Sequence, residues 1–140
     1  MSIRYLHAMI RTDKPEESHQ FYTEGLGLIQ TRRMDSEKGQ FSLIYYATEK
    51  GAPEVELTYN WSDRSYISGD QFGHLAFEVD DIYQVCEKLQ SIGVTILRPP
   101  RDGHMAFIKD PNNISIELLQ KNGSLEIIEP WASMENVGSW

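Results

Sequence analysis

Cysteine is nearly absent from the chain, Cys86 being the only one. A single thiol closes no internal disulfide, so the fold has to stand on a packed core, and a lone thiol suits a reducing compartment. Long apolar runs are missing as well. No stretch approaches the roughly 20 residues that a membrane-spanning helix needs. The opening MSIRYLHAMIRT lacks the apolar segment and small-residue cleavage site of a secretory signal. These absences point to the cytoplasm and away from a membrane partner. Basic charge is also scarce: 13 Lys and Arg stand against 21 Asp and Glu, for a net charge of -8. Nucleic acid is disfavoured as a partner, because phosphate binding draws on an excess of Lys and Arg. Any anionic ligand must find a local basic patch.

The 140 residues, 40% hydrophobic and 24% charged, suffice for one compact domain with a real core. Arg4 to Arg11 reads as a strand with Leu6, Ala8 and Ile10 on its apolar face. A helix follows, with Asp13 as cap, Pro15 in the first turn, Phe21 and Tyr22 as buried anchors, and Gly25 and Gly27 at its close. Strands are expected over Leu28 to Met34, Phe41 to Ala47 and Glu54 to Asn60. The same order then restarts. Gly73 to Asp80 is a strand, and a helix begins near Asp81 with Ile82, Val85, Cys86 and Leu89 as one buried stripe. Further strands are expected at Val94 to Leu97, Met105 to Lys109 and Ile114 to Leu119, the last two joined by the turn Asp110-Pro111-Asn112-Asn113. The fold class is therefore α+β: two βαβββ modules, about 4–61 and 72–120, form a single domain over 1–120 built from mixed sheets related by a pseudo-twofold. Residues 121–140 read as an irregular, acidic C-terminal tail, anchored by Trp131 and Trp140.

The chemistry-bearing residues repeat with the modules. In PEVELTYNW, Val55, Leu57 and Tyr59 point one way and Glu54, Glu56, Thr58 and Asn60 the other. ISIELLQ repeats the pattern around Glu117. The first strand of each module carries a histidine, His7 and His74, again opposite its strand's apolar set. A lone strand histidine is more often structural, and a lone strand glutamate is more often solvated. Four coincidences of type, position and facing favour a metal site of two imidazoles and two carboxylates, suited to Zn²⁺, Ni²⁺, Co²⁺, Mn²⁺ or Fe²⁺. His19 and His104 have no counterpart in the other module and read as surface or loop residues.

YLHAMIRT, FYTEGLGL, VELTYNW, FGHLAFEV and DPNNISIELL together resemble, in order and spacing, glyoxalase I (lactoylglutathione lyase) of the vicinal-oxygen-chelate superfamily. The resemblance spans about Tyr5 to Leu119. It implies the paired-module glyoxalase/bleomycin-resistance fold, with His7, Glu56, His74 and Glu117 as ligands of one divalent ion, Ni²⁺ (or Co²⁺) or Zn²⁺. It also implies a homodimer in which each active site takes one module from each subunit. The implied reaction isomerises the hemithioacetal of methylglyoxal and glutathione to S-D-lactoylglutathione by proton transfer through an enediolate. Glu117 is then the main acid/base and Glu56 its counterpart on the other face. Arg11, Asn60 and Arg98 match positions that contact the glutathione portion. Two departures touch that portion: Asp70 stands where some relatives have arginine, and the loop around Asp102 to Met105 is short. Alternatives left open are a related metal-dependent epimerase acting next to a thioester carbonyl and a non-catalytic binding protein of the same fold.

Overall fold

A computed structural model describes all 140 residues, which divide into two compact units, Met1–Ile67 and Ser68–Trp140. No helix is long and apolar enough to cross a membrane.

In the first unit the order is β1 (His7–Thr12), α1 (Pro15–Gln20) running on into a π-helical turn (Phe21–Gly25), β2 (Ile29–Ser36), β3 (Phe41–Ala47) and β4 (Glu54–Asn60). The sheet order is β1-β4-β3-β2, with β1 parallel to β4 and the other pairs antiparallel. Parallel pairing of the first and last strands requires a long crossover, which the helix and two strands supply. One face is apolar: Ile44, Tyr46 and Leu57 are buried there, and Tyr22 from the helical segment stacks on Tyr46 at 5.8 Å. The helix starts one residue later than the sequence implies. Lys14 occupies the cap position without a side-chain cap bond, and Asp13 pairs with the Lys14 ammonium instead. The Thr12 hydroxyl accepts the Lys14 N–H just ahead of the helix.

The second unit contains β5 (His74–Val79), α2 (Ile82–Ser91), β6 (Met105–Lys109) and β7 (Ser115–Gln120), in sheet order β5-β7-β6. Asp81 caps α2 by accepting from the N–H groups of Tyr83 and Gln84. Ile82, Cys86 and Leu89 are fully buried, with Tyr83 added to the stripe and Val85 only half-buried. Burial pushes the Cys86 thiol up to about 12, so it is a core residue and not a nucleophile.

The strand expected over Val94 to Leu97 does not form. Only an isolated bridge between Arg98 and Phe107 survives: the Leu97 and Arg98 N–H groups both donate to the Phe107 carbonyl, and the Leu97 carbonyl accepts the Val137 N–H instead of a neighbouring strand. The turn before β7 forms through Asp110, whose carboxylate accepts from the Asn112 and Ile114 N–H groups, with Asn113 at φ 65°.

Residues 121–140 lie along the second unit and contain one 3-10 turn, Trp131–Ser133. Trp131 is buried and stacks on Tyr83 at 6.2 Å, and the Tyr83 hydroxyl donates to the Glu126 carbonyl. Gly103, at φ +68°, lies against this segment. A side chain there would meet the Leu125 carbonyl oxygen at 2.4 Å, so only glycine fits.

Gln120 ties strand, helix and following segment together from a buried position. Its carbonyl accepts the Ile82 N–H at 2.8 Å, and its amide donates to the Asp80 and Lys121 carbonyls. Gln120→Ala strands a helix N-terminal N–H and two carbonyls, and is expected to lower stability by about 2 kcal/mol in urea unfolding.

Candidate metal centre

In the first unit the parallel register sets His7 opposite Glu54 and Met9 opposite Glu56, so His7 and Glu56 share the sheet face turned away from the helix. Tyr45 lies directly across from Glu56 on β3. Its hydroxyl donates a short hydrogen bond to the Glu56 carboxylate, and its ring meets the His7 imidazole edge-on at 5.8 Å and 80°. Glu56 is itself buried, and the His7 Nδ1 is buried without a hydrogen-bond partner. Glu54, two residues earlier on this face, is already committed. Its carboxylate accepts from the Thr31 hydroxyl and from Arg32, and these bonds, Thr31 first, hold its carboxyl below the usual range. The Arg32 guanidinium also covers the Tyr45 ring at 3.7 Å.

The second unit repeats the arrangement. His74 sits opposite Ser115, and Ala76 opposite Glu117, the same two-residue offset. Phe107 takes the place of Tyr45: it is directly across from Glu117 and meets the His74 imidazole edge-on at 5.3 Å and 83°. The His74 Nε2 lies 3.5 Å from a Glu117 carboxylate oxygen. That separation is long for a hydrogen bond. It agrees with the ~3.0–3.5 Å between two donors that share one ion at bond lengths of about 2.0–2.2 Å. Donor type and spacing in this pair therefore fit a divalent cation. Each unit thus sets one histidine and one glutamate on the same sheet face, in contact in the second unit and through the shared neighbour Tyr45 in the first, and no group of three or more His, Cys, Asp or Glu side chains gathers in the single chain.

The other predicted residues differ in availability. Arg11 continues the face of His7, opposite Thr58, and is exposed with no ion pair in the chain. Asn60 continues the face of Glu56 and donates to the Tyr66 hydroxyl at 2.9 Å. Arg98 is engaged in its own loop. Its guanidinium pairs with Asp102 at 3.3 Å and donates to the Met105 carbonyl, and Asp102 is held at about 2, its burial outweighed by Arg98 and two backbone N–H donors. His19 is exposed on α1, but its Nδ1 meets the buried Tyr46 hydroxyl at 2.8 Å, so it is not a free surface residue. Sequence reasoning missed Tyr45 and Phe107. Pairing β3 against β4 across the 48–53 turn was the signal that could have found Tyr45.

Residues 4–118 match the family described as the Glyoxalase/Bleomycin resistance protein/Dioxygenase superfamily. The chain belongs to that superfamily. Among its members, the chain is similar to lactoylglutathione lyases, including the one from Neisseria meningitidis, 38% identical over 126 residues that span 85% of this chain and 91% of the relative. Its fold is similar to the trypanothione-dependent glyoxalase I of Leishmania major, with a TM-score of 0.81 and 34% identity over 86% of this chain and 88% of the other. Glyoxalase I from Zea mays matches with a TM-score of 0.78 and 32% identity, over 86% of this chain and 45% of the maize chain.

The Tyr45 hydroxyl is held above its ordinary range, first by its hydrogen bond to Glu56 and then by burial. Ionising it would set a phenolate against a carboxylate. The stabilisation is therefore complete below the unfolded tyrosine value of about 10 and is lost as pH rises through the higher folded value. In chelator-treated protein, the phenolate absorbance difference between wild type and Tyr45→Phe is expected to titrate above the free-tyrosine range. Glu56→Gln should bring it down.

Proposed function

We propose that the chain is a metal-dependent lactoylglutathione lyase that isomerises the glutathione hemithioacetal of methylglyoxal to S-D-lactoylglutathione. The observation that carries this reading is the repeated set of histidine, edge-on aromatic and facing glutamate, built with one strand register in both modules. His7 and Glu56 would provide half of the ligands and His74 and Glu117 the other half. A homodimer in which the first module of one copy meets the second module of its partner would complete each site. Ni²⁺ or Co²⁺ is favoured over Zn²⁺ by the resemblance to short, short-looped relatives, and the compartment is the cytoplasm.

A divalent ion bound by these four residues would supply positive charge beside the two adjacent oxygens on which an enediolate's negative charge develops. The chain's own residues handle the proton. It leaves the carbon that carries sulfur and returns to the neighbouring carbon, so no electrons are exchanged with a cofactor. Glu117 is the better-placed base, because the residue across from it is a phenylalanine with no proton to donate. Glu56 already accepts the Tyr45 hydroxyl, which fixes the orientation of its carboxylate, and it would face the substrate from the side opposite Glu117. The exposed, unpaired Arg11 and the Asn60 amide lie further along the His7 and Glu56 strands, where they would meet a carboxylate of the thiol carrier. Arg98 would join them only by leaving Asp102. Glutathione is the thiol that most of the similar enzymes' names carry. The trypanothione-dependent Leishmania enzyme makes a second thiol the natural comparison substrate.

Glu117→Gln is expected to cut kcat/KM for the glutathione hemithioacetal by about 100-fold or more, and Glu56→Gln by at least about tenfold. Both should keep the wild-type circular dichroism. Chelator-stripped protein should be inactive and recover with one or more of Ni²⁺, Co²⁺ and Zn²⁺. Full activity in both variants, or undiminished activity after stripping, overturns the reading.

A further inference from the structure

The face of the first sheet turned away from His7 and Glu56 is only partly covered. Helix α1 is six residues long and, with the π-helical turn, buries Ser18, Phe21 and Tyr22. Beside it a cavity of about 380 Å³ stays open between α1 and the strands β2, β3 and β4. Two of its lining residues arrive through an irregularity in β2. Gln30 lies across from Tyr46 and Arg33 across from Ile44, so both share the helix side although strict alternation over three residues would part them. The register shift between Gln30 and Arg32 makes this possible. Tyr59 on β4, with Glu16 and His19 on α1, lines the rest.

Most of the polar ends in this cavity are unspent. Arg33 contacts Asp35 through Nε alone, at 3.2 and 3.4 Å, and its two terminal nitrogens make no bond in the chain. The Glu16 carboxylate, the Gln30 side-chain amide and the Tyr59 hydroxyl have no partner either. Only the His19 Nδ1 and the Tyr46 hydroxyl are joined, at 2.8 Å. Burial pushes the Tyr46 phenol up to about 12, so it keeps its proton; when it donates to Nδ1, the imidazole proton lies on Nε2 as a further donor. Ile44 and Tyr46, both buried, give the cavity an apolar floor.

The charges decide what such a cavity can hold. Asp35 cancels much of the field of Arg33 at a distance, and Glu16 leaves the balance negative, so a bare anion gains little here. A bare cation would meet the guanidinium. A molecule with both a carboxylate and an ammonium satisfies the two ends together: the planar Arg33 terminus offers paired N–H donors to the one, and Glu16 accepts from the other. Unspent polar groups above an apolar floor, in a volume within the roughly 300–1,000 Å³ of small-molecule pockets, suit a ligand of this kind.

We infer that this cavity is a second small-molecule site, on the sheet face opposite the candidate metal ligands, which takes a free α-amino acid with an aromatic side chain. Arg33 and the His19 Nε2 hold its carboxylate, Glu16 holds its ammonium, and Ile44 with the tyrosine rings receives its side chain. The site is independent of the lyase reading, since none of its residues is assigned to the metal or to the thiol carrier.

Three probes that differ by one charged group each test this. The metal-loaded full chain is titrated calorimetrically with L-phenylalanine, with 3-phenylpropionate, which lacks the ammonium, and with phenethylamine, which lacks the carboxylate. Phenylalanine is expected to bind at least about tenfold more tightly than either. Arg33→Ala should lower its affinity to the phenethylamine level, Arg33→Lys should recover part of the loss, and Glu16→Gln should lower it to the 3-phenylpropionate level. Both residues are exposed, and kcat/KM for the glutathione hemithioacetal and the thermal midpoint should stay at their wild-type values in each variant. Arg11→Ala, on the other face, should leave phenylalanine binding unchanged. Absence of binding to wild type, equal affinity for the three probes, or phenylalanine binding that survives Arg33→Ala or is lost in Arg11→Ala overturns the inference and leaves the lyase reading untouched.

Discussion

Parallel pairing of the first strand with the last, in a register offset by two residues, is the constraint from which the candidate site follows in each module. The offset sets Glu56 opposite Met9 and Glu117 opposite Ala76, two places along from the histidine of the neighbouring strand. Two residues correspond to about 6.6 Å of strand, a gap that the imidazole and the carboxylate close from either end. A slip of one residue would turn each glutamate onto the face that the helices cover, exchanging it for Leu57 or Leu118, both fully buried. The apolar faces therefore hold the register that the ligands need. The burial of Ile44, Leu57, Ile108 and Leu118 positions the chemistry on the other side of the same strands.

Around the histidine and glutamate the modules share a plan and differ in the ring that lies across from the glutamate. Tyr45 and Phe107 occupy equivalent places, each across from the glutamate and edge-on to the histidine. The hydroxyl of Tyr45 occupies part of the Glu56 carboxylate, while the Phe107 ring leaves the Glu117 carboxylate facing His74 alone. Two candidate ligands of the same kind thus differ in their hydrogen bonding because of a residue that neither strand contains. A duplicated scaffold that must act on a substrate without twofold symmetry gains from such a difference. Trp140 extends the asymmetry, since it covers Phe107, whereas Tyr45 is covered by Arg32.

Strands β3, β4 and β6 were legible to the residue because turn-forming segments bound them on both sides. Alternation at Glu56 and Glu117 likewise gave the facing of the ligands. Three features resisted the same reasoning for separate physical causes. Val94 to Leu97 alternates like a strand, but the Leu97 carbonyl is taken by the Val137 N–H from the 121–140 segment, a partner that local alternation does not reveal. Leu43 to Ala47 is buried or half-buried on both faces, so periodicity does not say which tyrosine reaches Glu56, and only the cross-strand register decides it. Residues 121–140 are held by backbone hydrogen bonds and isolated rings, which leave no apolar stripe to read.

Charge placement explains how so acidic a chain can serve an anionic substrate. Four of the arginines are spent internally: Arg32 on Glu54 and the Tyr45 ring, Arg33 on Asp35, Arg98 on Asp102, and Arg101 on the 121–140 segment. Exposed pairs of this kind add little stability, but they fix where net positive charge is unavailable. Arg11 stands apart, unpaired on the strand that carries His7. A net charge of -8 repels anions in general, and an uncompensated guanidinium on the face of His7 and Glu56 is a local exception. Lys109 in the other module, on the strand face of Phe107 and Glu117, is likewise without an ion pair, so each module leaves one cation uncompensated on the face that carries its histidine and glutamate.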